Sequence, residues 1–147
     1  DSRENEFPEQ IPVGVDKVVN DEVIDEIERM PAGSYFIVMT HNHQLDLELT
    51  AEILKRNDFA YYGLIGSQTK RAKFEHRLRD RGFDPAVVAR MRCPMGLAEV
   101  KGKLPVEIAV SIAGEVIATY NAAFGQESKK GQPSVAKLLP ASRRSQA

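Results

Sequence analysis

Apolar residues along this chain fall into two kinds of run. Tyr35-Phe-Ile-Val-Met39 and the stretch from Phe59 to Ile65 are continuous and of strand length, as in parallel strands covered on both faces. Elsewhere the apolar positions recur at helical spacing. Val23, Ile24 and Ile27 form one stripe on a helix from Asp21 to about Arg29, capped by Asn20 and ended by Pro31-Ala-Gly33. Leu45, Leu49 and Ile53 share a face of a second helix, from about Gln44 to Arg56, which Leu47, Ala51 and Leu54 widen. A third helix, Ser67 to Arg81, is mostly basic, with Ala72, Phe74 and Leu78 its few apolar residues; Gly82 stops it. Asp84-Pro85 opens a short helix to about Arg90, and Met91–Leu97 reads as a loop with at most a short strand before it. Pro105 opens the longest apolar helix. There Ala109, Ile112, Ala113, Val116, Ile117 and Tyr120 are expected to face the core, with Glu107, Ser111, Glu115 and Ala118 opposite. Residues 1–20 read as loop with at most a short strand near Val15 or Val18.

Strands alternating with helices predict an α/β domain with a parallel sheet built from crossovers. That domain is placed at residues 1–124. Residues 125–147 turn to Gly, Gln, Ser, Lys, Pro and Arg, a composition that cannot bury enough apolar surface to order itself, so a disordered basic tail is expected there.

Composition narrows the function classes. The 20 Lys+Arg nearly balance 21 Asp+Glu, so no global excess draws nucleic acid or an anionic membrane, and neither is expected as a partner. Cys93, the single cysteine, excludes an intramolecular disulfide and fits a cytoplasmic setting. No apolar run is read as a membrane span, and no signal-peptide pattern opens the chain.

Ligands of parallel sheets bind outside the carboxyl ends of the strands. Three segments fall there: Thr40–His43, Gly66–Lys70 and Cys93–Leu97. The middle one carries the chemistry. Gly63 and Gly66 let the chain turn, Ser67 is a helix N-cap residue, and Lys70 and Arg71 follow inside the helix, an arrangement that binds phosphate. The plainer reading is that Ser67 only caps and the glycines only turn. His41, His43 and Asp46 could hold a divalent metal, but further ligands at a familiar spacing are missing, so no metal is assigned. Thr40 and His41 fit better as hydrogen-bonding groups for a ligand or a neighbouring loop. Cys93 could act as a thiolate or pack as a small hydrophobe, and the second reading is preferred. No Ser-His-Asp or Cys-His set emerges, so hydrolytic catalysis has no support.

Four motifs in order then point further. Thr40-His41-Asn-His43, Tyr62-Gly-Leu-Ile-Gly-Ser67 with Lys70-Arg71, Pro94-Met-Gly-Leu97, and Pro105-Val-Glu-Ile-Ala-Val-Ser-Ile112 together resemble the C-terminal Rossmann-like domain of the xanthine dehydrogenase accessory protein family (XdhC/CoxI type). The resemblance runs from Asp1 to about Ala123. It implies a partial Rossmann-like parallel sheet flanked by helices. Asp1, Arg3, Phe7 and Pro8 match the end of the family's second strand. The resemblance thus places the chain's start at the acidic ribose-contacting residue, Asp1, with the first βαβ half and an N-terminal domain outside it.

The implied role is non-enzymatic: to bind molybdenum cofactor (molybdopterin), protect it and deliver it to xanthine dehydrogenase after sulfuration with a cysteine desulfurase. Carried over by motif, the cofactor-binding residues are Asp1, Thr40, His41, His43, Gly66, Ser67, Lys70, Pro94, Gly96, Leu97 and Glu107. The family's cofactor-ligating cysteine is expected in the N-terminal domain, and Cys93 does not inherit that role. Met95 stands where Ile is usual, and Leu104 where Thr usually precedes the helix proline, which removes a possible cap. A dinucleotide is an alternative cofactor, as an NAD(P)-binding oxidoreductase domain is the alternative function. An interaction module resting on the basic helix is a third. The strand at Tyr35–Met39 would present an open apolar edge, so self-association or pairing with the missing N-terminal half is also expected.

Overall fold

A computed structural model of the chain describes residues 4–127, and they divide into two compact units, one up to residue 96 and one from residue 97 on. The expected tail at 125–147 begins within the last helix and otherwise lies outside the described residues.

In the first unit a 3-10 turn, Glu4–Glu6, is followed by α1 (Val23–Arg29), β1 (Tyr35–Val38), α2 (His43–Arg56), β2 (Tyr61–Leu64), α3 (Gln68–Asp80) and α4 (Pro85–Val88). The two strands pair in parallel, Tyr35 opposite Tyr61 through Val38 opposite Leu64. A parallel bridge from Gly63 to Arg92 adds one rung beyond β2; it lies inside the segment Met91–Leu97 expected as loop, and no strand precedes that segment after β2. This is the partial Rossmann-like arrangement, a small parallel sheet flanked by helices. Near Val15 and Val18 the backbone forms no strand.

Local signals set most boundaries. Asn42 caps α2 by accepting from the Gln44 and Leu45 N–H groups, and Asn57 ends it in the left-handed region at φ 53°. Ser67 caps α3 through the Lys70 N–H, and Asp84 caps α4 ahead of Pro85. α1 departs from expectation: it starts two residues later, at Val23, with Glu22 at its N-cap and no side-chain cap, because the Asn20 side chain accepts from the Glu22 N–H in a turn ahead of the helix.

Core packing follows the periodicities. Leu47, Ala51 and Leu54 on one stripe of α2 and Leu49 and Ile53 on the next are all buried, because α2 packs on both α1 and β1. All of β2 is buried. β1 departs from expectation. Phe36 and Val38 are buried, but Ile37 is 41% and Met39 53% exposed, so β1 is covered on one face. Among the described residues no strand pairs with its outer edge.

The second unit holds α5 (Pro105–Glu127) and the loop before it. Two expectations are corrected here. Ser111, Ile112 and Glu115 are the buried residues of α5, while Ala109, Ala113, Ile117 and Tyr120 are exposed, so the helix is turned away from the face its apolar residues suggest. The reason is non-local: the Ser111 hydroxyl accepts the Leu97 N–H at 2.8 Å and so faces the folded-back loop. Leu97 lies against Gly114, where a Cβ would stand 2.8 Å from its Cδ1. Second, no membrane span is expected from the apolar runs, yet the helix over Pro105–Gly125 is long and apolar enough to cross a membrane by length and composition.

Candidate functional site

Because β1 and β2 are parallel, both end on one rim. The Ile65 N–H donates to the Val38 carbonyl at 2.9 Å and the Met95 N–H to the Leu64 carbonyl at 3.3 Å, so Thr40–His43, Gly66–Lys70 and Cys93–Gly96 all leave the sheet at the same end.

A carboxylate ties the first two loops together. Asp46, in the first turn of α2, is fully buried. Its Oδ1 accepts from the Thr40 backbone at 3.1 Å and from the Thr40 hydroxyl at 2.7 Å, and its Oδ2 accepts from Lys70 Nζ at 2.6 Å. Lys70 also donates to the Ile65 carbonyl at 2.8 Å. The ammonium therefore points inward, and its stem fills the space over Gly66, where a Cβ would come within 2.5 Å of Lys70 Cδ. Beneath this pair, the Thr50 hydroxyl donates to the Asp46 carbonyl at 2.6 Å and accepts from the Tyr62 hydroxyl at 2.5 Å. Burial pushes the Tyr62 phenol up, so it stays a donor throughout the physiological range.

Above the pair, the first turns of α2 and α3 enclose a cleft of about 450 Å³, lined by His43, Gln44, Ser67, Thr69, Lys73 and Arg77 with Lys70 and Phe74 at its base. Ser67 satisfies only the Lys70 N–H, so the Gln68 and Thr69 N–H groups have no acceptor among the described residues. Lys73 has no ion-pair partner among them, and Arg77 reaches only the neutral Gln44 side chain, at 3.4 Å. One turn along, Arg81 binds Glu48 through both guanidinium nitrogens at 2.8 and 3.0 Å, which fixes α3 against α2 and holds the Glu48 carboxyl below its ordinary value. Open amides at a helix mouth beside uncompensated cations suit a phosphate dianion.

The residues expected from sequence are distributed as follows. His43, Ser67 and Lys70 share this cleft. Thr40 and His41 face a different hollow, a groove of about 510 Å³ between α1, β1 and α2 that is otherwise mostly apolar. Gly66 admits the Lys70 stem. Pro94 and Gly96 lie in the loop after the Arg92 rung, whose Cys93 carbonyl accepts from Arg71 at 3.2 Å. Arg71, also paired with Glu75 at 2.7 Å, thus braces that loop. Cys93 is 2% exposed, and burial pushes its thiol up against the opposing pull of Lys70 and Arg71, which suits packing rather than thiolate chemistry. In the second unit Leu97 meets Ser111, and the Glu107 carboxylate accepts the Leu104 N–H at 3.0 Å, the half of a capping box that survives without a hydroxyl at position 104. Asp1 lies outside the described residues.

Gln44, Thr69, Lys73 and Arg77 line the cleft without being among the residues expected from the motifs. The signal for three of them is helical spacing: Thr69, Lys73 and Arg77 repeat every fourth residue and so share one face of α3.

The model of the XdhC Rossmann domain matches residues 2–116. The chain belongs to that family. It is also 30% identical over 90 residues to the uncharacterized protein YqeB of Escherichia coli strain K12, an alignment covering 61% of this chain. The same alignment covers 16% of that relative, so the XdhC chain described here corresponds to a small part of the longer protein.

Proposed function

We propose that this XdhC domain is the phosphate-holding part of an accessory protein, not an enzyme, that binds molybdenum cofactor, shields it and passes it to xanthine dehydrogenase. The observation that carries the reading is the cleft between α2 and α3, where two open backbone amides, the Ser67 and Thr69 hydroxyls, Lys73 and Arg77 converge at the carboxyl rim of a parallel sheet. The phosphate of a pterin cofactor, or of its nucleotide-extended form, is a dianion of the size this set accommodates. When bound, the cofactor would bring the redox metal that the client enzyme uses. This chain's residues would hold its phosphate and orient it against His43, while Asp46 and Lys70 keep the rim in shape from below. Cys93, buried and neutral, does not fit a metal-ligating role. Sulfuration with a cysteine desulfurase and transfer to the client would then fall to the rest of the assembly.

The test is binding of molybdopterin to the full chain, followed by pterin fluorescence, with Lys73→Ala and Arg77→Ala combined. Losing two charge-assisted contacts should lower affinity about tenfold or more while leaving the circular dichroism unchanged. Unchanged affinity, or NADH binding in preference to the pterin, would overturn the reading.

A further inference from the structure

A second hollow opens on the other side of α3. Arg71, Glu75 and Arg79 line it at every fourth residue, about 160° around the helix from the stripe of Thr69, Lys73 and Arg77 that lines the cleft. Its opposite wall and floor are apolar: Phe83, Pro85, Val88 and Ala89. Val88 is a core residue, 6% exposed, and Phe83 packs half-buried against the core, so the floor is core surface showing through. The frame is fixed. Gly82 takes the left-handed conformation at φ 83°, the Phe83 N–H donates to the Leu78 carbonyl at 3.1 Å, and Asp84 with Pro85 starts α4. A volume of about 200 Å³ falls short of the roughly 300 Å³ at which small-molecule sites begin, yet exceeds the ~150 Å³ that holds a benzene ring. It has room for one apolar side chain.

The charges around this hollow leave one cation over. Glu75, the partner that Arg79 would ordinarily take one turn back, is held by Arg71 at 2.7 Å. Asp80 lies 2.9 Å from His76 Nδ1, Glu48 is bound by Arg81, and the Asp84 carboxylate accepts the Ala86 N–H at 2.8 Å. Arg90, just past Ala89, is turned to the Phe59 carbonyl at 2.7 Å. Arg79 is exposed, and its guanidinium has no ion pair or hydrogen bond among the described residues. We infer that the hollow docks an acidic segment of a partner protein. A Leu or Phe of that segment sits over Val88 and Phe83, and the carboxylate of a neighbouring Asp or Glu meets Arg79, whose planar fork suits it. A basic segment would leave Arg79 uncompensated, and a free small ligand would keep most of its surface wet in a hollow of this size. One anchored side chain and one ion pair make a transient contact, smaller than a stable complex needs. The inference stands apart from the phosphate cleft, with which this hollow shares no lining residue.

Fluorescence polarisation of the full chain with labelled peptides of the pattern Glu-Asp-Phe-Glu-Asp, and with Leu in place of Phe, tests this. Exchanging the peptide's apolar residue for Ala should weaken binding about tenfold or more. Arg79→Glu should weaken it at least as much, and Ala89→Phe, which fills the hollow from its exposed rim, should abolish it, both with unchanged helix content by circular dichroism. Lys73→Ala combined with Arg77→Ala should leave the affinity within about twofold, because those cations face the cleft. Binding weaker than about 1 mM for both anchored peptides would overturn the docking site. Equal binding of the Ala peptide or of polyglutamate would do the same, by showing that charge alone attracts the segment. So would binding that survives Arg79→Glu or Ala89→Phe, or that falls mainly with the Lys73 and Arg77 changes.

Discussion

Lys70 Nζ lies 2.6 Å from Asp46 Oδ2, with the lysine side chain 9% exposed and the aspartate fully buried. The pair joins the first turn of α3 to the first turn of α2 and, through Thr40, to the end of β1. Its consequence is that the lysine at the mouth of α3 is a fastener of the rim. The cations left to face the cleft are Lys73 and Arg77, one and two turns further along the same helix.

Removing one member of this pair should be far worse than removing both. Asp46→Ala strands a buried ammonium and two Thr40 donors, and an urea titration should show a loss of ~3–5 kcal/mol. The double variant Asp46→Asn with Lys70→Met keeps an acceptor for Thr40 and buries no charge, so it should recover at least half of that loss. Equal destabilisation in the two variants would mean that the pair is not what organises the rim.

Gly66 should tolerate no side chain. A Cβ there would meet Lys70 Cδ at 2.5 Å and Lys70 Cβ and Cγ at 3.2 Å, and the stem cannot swing aside while its ammonium is held by Asp46. Gly66→Ala is expected to lower stability by about 1–3 kcal/mol in thermal melts. The same substitution in a Lys70→Met background, where the stem is free to move, should be distinctly milder.

Acid stability should depend on Arg81. The Arg81 hydrogen bonds lower the Glu48 pKa in the folded chain, so Glu48 contributes stability that is present above its ordinary value of 4.5 and is lost as pH falls through the lowered folded value. Both side chains are more than a third exposed, so solvent limits the effect to roughly 0.2–1 kcal/mol. Arg81→Gln should reduce stability at pH 7 by that amount and flatten the acid limb of a stability–pH curve, with the two proteins converging once Glu48 is protonated in both. Parallel curves across the whole range would remove Glu48 from the account.

What the residues disclosed follows from the range of the forces involved. Ser67, Asp84-Pro85 and Gly82 mark helix ends by hydrogen bonds that span two or three residues, so those boundaries were legible. Asn42 was passed over because the polar run Thr40–His43 offers several caps, and only the backbone selects one. The inward turn of Lys70 depends on Asp46, 24 residues away, and the rotation of α5 depends on Ser111 meeting Leu97, 14 residues away. Neither pairing leaves a periodic trace. The open face of β1 was hidden for a related reason: a continuous apolar run records what the strand can bury, and Ile37 and Met39 stay half-exposed because the described residues supply cover on one side only. The proposed anion cleft was visible in outline from Ser67, while its uncompensated cations needed the knowledge of which ones are already engaged.

Helix α2 is bracketed by asparagines, Asn42 at its start and Asn57 in the left-handed conformation at its end, with 14 residues between them. These two polar stops set a spacer of about 21 Å, and any added or deleted residue would swing everything beyond it by about 100°. Asp46 and Thr50 would then no longer lie under the rim while Leu54 lies over the core. Natural variation in chains of this fold should therefore exchange side chains along α2 freely on its wet side yet leave its length untouched.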